Sequence, residues 1–180
     1  MDIQKGSIEG LYVIRPKVFE DERGHFFESF RLSSFQAAAG PVTFVQENES
    51  RSQRGVFRGL HFQRTPKAQA KLIRCVRGRI LDIAVDLRAN SPTRGQFEVI
   101  ELSADNRLSF FVPVGFAHGF LCLEDNSIVQ YKTSDYYSPQ DESGLSIDCI
   151  DFQWPIPRAE WKLTSKDQTW PDMDKVYLFD

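Results

Sequence analysis

The chain has 180 residues, 41% hydrophobic and 26% charged, with 11 Gly and 9 Pro, the size and make-up of one globular domain spanning 1–180. Its 22 Lys+Arg against 25 Asp+Glu leave a net charge of −3, which excludes a wholly acidic or wholly basic protein. The balance is uneven: nine basic residues and no acid fall between Arg51 and Arg79, leaving 13 basic and 25 acidic residues elsewhere, so the basic run raises the question of an anion site.

Short apolar runs alternate with turn signals about every ten residues, which predicts an all-β sandwich or barrel. Strands are expected over 11–19, 25–30, 43–49, 55–63, 71–76, 79–87, 96–102, 108–112, 118–123 and 128–134. Between the second and third, Leu32 to Ala39 reads as the one helix of any length, with Ser33 or Ser34 as a cap. The clearest strand starts after the Arg77-Gly78 turn: Leu81, Ile83, Val85 and Leu87 form one face, and Ile80, Asp82, Ala84 and Asp86 the other. Asn90-Ser91-Pro92 breaks it. Past Ser138 the chain is rich in Pro and Trp and is expected to wrap the barrel, over about 139–180, as loops and short helices.

Fifteen Phe, five Tyr and three Trp favour strands and an aromatic-lined interior over a helical bundle. Cys75, Cys122 and Cys149 are odd in number, far apart and without a CxxC pair, so they read as small apolar residues and not as a disulfide framework or zinc site. No run approaches the roughly 18 apolar residues of a membrane span. MDIQKGSIEG lacks the charged start and apolar stretch of a signal peptide, so a cytoplasmic protein is expected.

Pro113-Val-Gly-Phe-Ala-His118 fits the P-x-G-x-x-H pattern of the second half of cupin barrels, and Gly55 followed by five residues and His61 fits the start of the first cupin motif. A metal-binding cupin continues H-x-H and then supplies a carboxylate. Here His61-Phe62-Gln63 is followed by Arg64, Lys67 and Lys71, and the chain's only other histidines are His25 and His118. Two imidazoles amid cations hold a divalent ion poorly, so a cupin barrel without metal is expected. Asp82 lies in an otherwise apolar strand, where an unpaired carboxylate is costly to bury. It reads either as reaching a strand-end amide or as one half of a His61–Asp82 dyad that fixes the imidazole tautomer and raises its basicity.

Nine motifs in order resemble the cofactor-independent sugar-nucleotide epimerases typified by dTDP-4-dehydrorhamnose 3,5-epimerase. They run from Pro16-Lys-Val-Phe19 and Asp21-Glu-Arg23-Gly24-His-Phe26-Phe-Glu28 through Phe44-Val-Gln46-Glu-Asn48 and Arg58-Gly-Leu-His61-Phe-Gln63. Lys71-Leu-Ile-Arg-Cys, Asp82-Ile-Ala-Val-Asp86, the Pro113 segment and Tyr131-Lys-Thr-Ser-Asp-Tyr136-Tyr137-Ser-Pro139 follow, and Leu163-Thr-Ser-Lys166-Asp167 ends the series. Glu47, where Asp is usual, and Trp170 before Pro171 are the main departures from the family pattern.

The resemblance implies a mainly β, cupin-type double-stranded β-helix (jelly roll) with a few short peripheral helices. It implies an isomerase that inverts C3 and C5 of a nucleoside-diphosphate 4-keto-6-deoxyhexose without metal, nicotinamide or flavin. His61 would be the base polarised by Asp82, Tyr131 the acid on the opposite face, and Lys71 the enolate-stabilising cation. Arg23, Glu28, Gln46, Asn48, Arg58, His118, Glu142, Lys166 and Asp167 would bind substrate. In relatives the segment carrying Arg23 and Glu28 crosses to the neighbouring subunit, which implies a homodimer to which about residues 1–50 contribute. Siblings with nearly the same motifs invert C3 alone or C5 alone, or use GDP- or CDP-sugars. A carbohydrate- or nucleotide-binding cupin, a metal-dependent cupin oxygenase and a nucleic-acid binder are the readings from other classes. The retained His61, Asp82, Lys71 and Tyr131, the missing metal ligands and the excess acid outside the basic run argue against each in turn.

Strand alternation keeps the basic run from pointing one way. Arg58 and Lys71 are therefore expected at the site, and Arg54, Arg64, Lys67, Arg77 and Arg79 at solvated strand ends and turns.

Overall fold

The computed structural model describes residues 1–180, mostly as short strands: β1 (Asp2–Lys5), β2 (Tyr12–Arg15), β3 (Val18–Asp21), β4 (Gly24–Phe27), β5 (Gln46–Ser52), β6 (Phe57–Gln63) and β7 (Lys71–Arg77). After them come β8 (Arg79–Asp86), β9 (Phe97–Ser103), β10 (Ser109–Val112), β11 (Phe116–Cys122), β12 (Ser127–Thr133) and β13 (Glu142–Gly144). The one α-helix, α1, spans Leu32–Ala39 as expected, and 3-10 turns form at Ile147–Cys149, Arg158–Glu160 and Lys166–Gln168. Two antiparallel sheets, ordered β1-β2-β10-β7-β12-β5 and β13-β6-β11-β8-β9, make the cupin-type jelly roll. The β3–β4 hairpin stands apart as a two-stranded sheet. No helix is long and apolar enough to cross a membrane.

The expected strand over 11–19 is two strands, because Pro16 has no N–H to give a ladder and the chain breaks there. β5 runs on to Ser52, beyond the expected 49: its inward residues Gln46, Asn48 and Ser50 are polar, so apolar alternation does not announce it. β1 and β13 were not expected; both are short edge strands without an apolar face.

β8 is buried on both faces. Ile83, Val85 and Leu87 pack outward, against Ile147, Ile156, Trp161, Val176 and Phe179 of the C-terminal segment. Phe57, Trp154 and Trp161 stack within that cluster, each such pair contributing about 0.5–1.5 kcal/mol beyond simple burial. Ile80 and Ala84 face the barrel interior with Ile73, Cys75, Phe110 and Phe116. Asp82 shares that inward face and is fully buried.

The interior changes character along its axis. On β7 and β12, Ile73, Cys75 and Val129 fill the apolar end, whereas Lys71, Tyr131 and Thr133 line a cleft at the other. Residues of the basic run outside the cleft pair at the surface: Arg54 with Glu160, Lys67 with Asp135, and Arg79 with Glu101 and Glu124.

Candidate active site

Two adjoining cavities of about 360 and 250 Å³ open between the sheets and share His61, Lys71 and Tyr131. His61 comes from β6 and Tyr131 from β12, so the two stand on opposing sheets. The larger lobe adds Gln46, Asn48, Gln63, Gln69, Thr133, Tyr137 and Glu142. The smaller adds Ser50, Arg58, His118, Phe120, Thr164, Lys166 and Asp167.

Arg58 and His61 are three residues apart and would face opposite sides of a regular strand. A bulge prevents this. Arg58 pairs with Phe120 and His61 with His118, so three steps on β6 match two on β11 and both side chains enter the cleft. Gly59, at φ 142°, makes the bulge, and a Cβ there would lie 2.6 Å from the Gly119 Cα. Arg58 is then held by donating from Nε to Ser52 Oγ at 3.0 Å.

The expected His61–Asp82 dyad does not form. β8 is separated from β6 by β11, and two strand spacings, about 10 Å, lie between them. His118 occupies the intervening place, and its Nε2 meets Asp82 Oδ1 at 2.8 Å. His61 Nε2 instead contacts Asp167 Oδ1 at 2.5 Å, from the 3-10 turn Lys166–Gln168 laid over β6. Asp167 was expected to bind substrate; the structure makes it the partner of the imidazole.

Burial works against ionisation of Asp167, but the hydrogen bond and charge of His61, with Thr164 and Trp170, outweigh it and lower its pKa. At the second pair burial prevails: it raises the Asp82 carboxyl against the pull of His118 and Lys71, and lowers His118 against the pull of Asp82. Lys71 donates to the His61 carbonyl at 3.4 Å. Burial pushes its pKa down to about 8, against Asp82 and Glu142. Burial also raises the Tyr131 phenol, which keeps it protonated near neutrality. An imidazole–carboxylate pair, a buried ammonium and a protonated phenol thus surround one cavity, groups of the kind that proton abstraction beside a carbonyl uses.

Lys166 Nζ and the Tyr137 hydroxyl both donate to Glu142, at 2.6 and 2.9 Å, forming one rim of the cleft. Gln46 and Asn48 bond each other on the opposite wall. Arg23 and Glu28 do not reach this cleft: they lie on and after the β3–β4 hairpin, exposed, and pair with Asp21 and Arg31. Gln63, Tyr137, Gln69 and Thr133 line the cleft without having been singled out. Three of them lie inside motifs already recognised, Gln63 closing the His61 motif and Thr133 and Tyr137 within the Tyr131 motif; Gln69 carries no distinguishing sequence signal. Nowhere do three His, Cys, Asp or Glu side chains converge as metal ligands would.

Fold and cleft together define a cupin-type jelly roll whose interior presents an imidazole and a phenol from facing sheets. Residues 5–175 match the family model described as dTDP-4-dehydrorhamnose 3,5-epimerase, and the chain belongs to that family. It is 48% identical over 179 residues to the dTDP-4-dehydrorhamnose 3,5-epimerase of Methanothermobacter thermautotrophicus, covering 97% of this chain and 96% of that one. It is similar to the crystal structure of dTDP-4-dehydrorhamnose 3,5-epimerase from Elizabethkingia anophelis NUHP1, with TM-score 0.94, 44% identity and coverage of 98% and 99%. A dTDP-6-deoxy-D-glucose-3,5-epimerase from Legionella pneumophila Philadelphia 1, in complex with dTDP-4-keto-L-rhamnose, matches with TM-score 0.92 at 38% identity, over 98% and 94% of the two chains.

Proposed function

We propose that the protein is an isomerase that inverts C3 and C5 of dTDP-4-dehydro-6-deoxy-D-glucose to give dTDP-4-dehydro-L-rhamnose. The observation that carries this reading is the placement of His61 and Tyr131 on opposing sheets of one cleft with Lys71 beside both. The C4 ketone makes the hydrogens on C3 and C5 removable. His61, its Nε2 held by Asp167, takes the proton from one face. Lys71 stabilises the enolate oxygen, and the Tyr131 phenol returns a proton to the other face. Both groups reset through solvent between rounds, so solvent deuterium enters the sugar. Arg58 and Lys166 supply positive charge for the diphosphate.

A homodimer with exchanged N-terminal segments is part of the same reading. Arg23 and Glu28 are displaced from their own cleft on a hairpin whose register partners Phe19 and Phe26 are 54% and 71% exposed, an apolar pair of the kind that marks an interaction surface. Docked on a second copy, the hairpin covers those rings and carries both charges to the neighbouring site.

Proton NMR of dTDP-4-keto-6-deoxyglucose incubated with the protein in D2O tests the function. Loss of both the C3 and C5 signals is expected, and loss of one identifies a mono-epimerase. No exchange on dTDP-, GDP- or CDP-4-keto sugars overturns the reading. His61→Ala abolishes exchange; Tyr131→Phe leaves exchange and blocks inversion.

A further inference from the structure

His61 stands directly opposite Gly144 in the β6–β13 register, so a side chain at position 144 would lie on the flank of the imidazole. Gly144 has none, and the space is taken from elsewhere in the chain. The Trp170 indole rests on the glycine, its Cδ2 only 2.4 Å from where a Cβ would fall. From there it meets His61 edge-on, ring centres 6.0 Å apart at 76°. The segment is tied in place where Ser146 N–H donates to the Pro171 carbonyl at 2.9 Å.

The indole also has an unused donor. Its N–H is buried without a hydrogen-bonded partner, on a ring that packs against the same imidazole that Asp167 contacts, and Trp170 helps lower the pKa of that carboxyl. Leaving a buried N–H unpaired is unfavourable, and the Asp167 carboxylate is the acceptor at hand. On its other side Lys166 Nζ sits 5.9 Å from the ring centre.

We propose that Trp170 is a positioning residue of the His61–Asp167 pair, fixing the tilt of the imidazole from the side Gly144 leaves open and presenting its N–H to the Asp167 carboxylate. The proposal rests on His61 as the base, and it adds a group from outside the residues that line the cleft. Through the N–H, negative charge on Asp167 is partly neutralised and the pair holds its extra proton less tightly. Other titratable or charged groups facing His61 are Lys71 from β7, Tyr131 from β12, Glu142 from β13, Lys166 from the adjoining turn and Arg58 from β6. His118 on β11 also faces it, with Asp82 behind. Changing Trp170 replaces none of these.

Trp170→Phe keeps a ring against Gly144 and removes the donor, and Trp170→Tyr moves the donor to the ring tip. The titrations of His25, His61 and His118 are followed by NMR of ring-¹⁵N histidine, alongside the pH profile of C3 and C5 exchange. In both variants the His61 titration is expected to move up relative to the wild type by roughly half a unit to one unit, the size of one ordinary net hydrogen bond. The acid limb of the exchange profile moves with it, and His25 on the distant hairpin stays put. A slower variant with His61 titrating as in the wild type overturns the proposal and leaves Trp170 as packing alone. A shifted His61 in a protein that exchanges no sugar protons upholds the pairing and sinks the proposed function instead.

Discussion

His61 and His118 are register partners on β6 and β11, and each holds a different carboxylate, His61 that of Asp167 and His118 that of Asp82. Asp167 lines the cleft and Asp82 lies buried behind His118, so the two acids do different work. Asp167→Asn removes the charge that supports the base, and exchange falls by about 10²–10⁴-fold with the fold intact by circular dichroism. Asp82→Asn leaves the His61 pair in place and acts through His118 and Lys71, so its effect on exchange at neutral pH is the smaller of the two.

On the proposed mechanism Lys71 sets the alkaline side of the pH profile. Its ammonium is the form that stabilises an enolate, and burial lowers its pKa to about 8. On the alkaline side, exchange measured as kcat/KM therefore declines as pH rises through that value. Asp82 and Glu142 both work to keep Lys71 charged. Asp82→Asn and Glu142→Gln each move the alkaline limb to lower pH, and initial-rate profiles between neutral pH and pH 9 read the displacement.

The bulge on β6 depends on Gly59. Alanine there meets both a positive φ and the backbone of Gly119. Gly59→Ala costs on the order of 1–3 kcal/mol in urea unfolding. Where the protein still folds, Arg58 and His61 lose their common face, and KM rises together with a fall in kcat.

Acid stability centres on Asp86, remote from the cleft. Burial opposes its ionisation, yet Arg88, Ser91 and Thr93 all donate to it and bring its pKa to about 2, from 3.8. A carboxyl lowered in the folded state contributes stability that is present above pH 3.8 and lost as pH falls toward 2. The contribution is about 2 kcal/mol. Urea midpoints of Asp86→Asn therefore lie well below the wild type at pH 7, and the gap narrows below pH 4.

The exchanged hairpin is tested by complementation. Arg23→Glu and His61→Ala are each inactive or nearly so as homodimers at low substrate. Mixed after gentle unfolding and refolding, they regain up to about a quarter of wild-type activity, because each mixed dimer contains one site with both His61 and the partner's Arg23 intact. No regain, with mixed dimers present by native mass spectrometry, places Arg23 outside the neighbouring site.

Local pattern and local chemistry account for most of what the chain revealed before it was folded. Period-two alternation located the central strands, the Gly-centred turns ended them, and the ordered motifs around His61, Lys71 and Tyr131 identified the family and many of the residues that line the cleft. Short polar edge strands such as β13 carry no such signal, and the inward face of β5 is polar because it borders a cavity.

Tertiary structure alone decided which carboxylate serves which histidine. Asp82 matched the motif and the expected chemistry, but sheet order set β11 between it and His61, and a turn more than a hundred residues away supplied Asp167. Strand spacing and the bulge at Gly59 set those distances, and neither is written in the alternation of side chains. The basic run that opened the question of an anion site was sorted the same way, with Arg58 and Lys71 turned into the cleft and Arg54, Lys67 and Arg79 paired with acids brought to them by the fold.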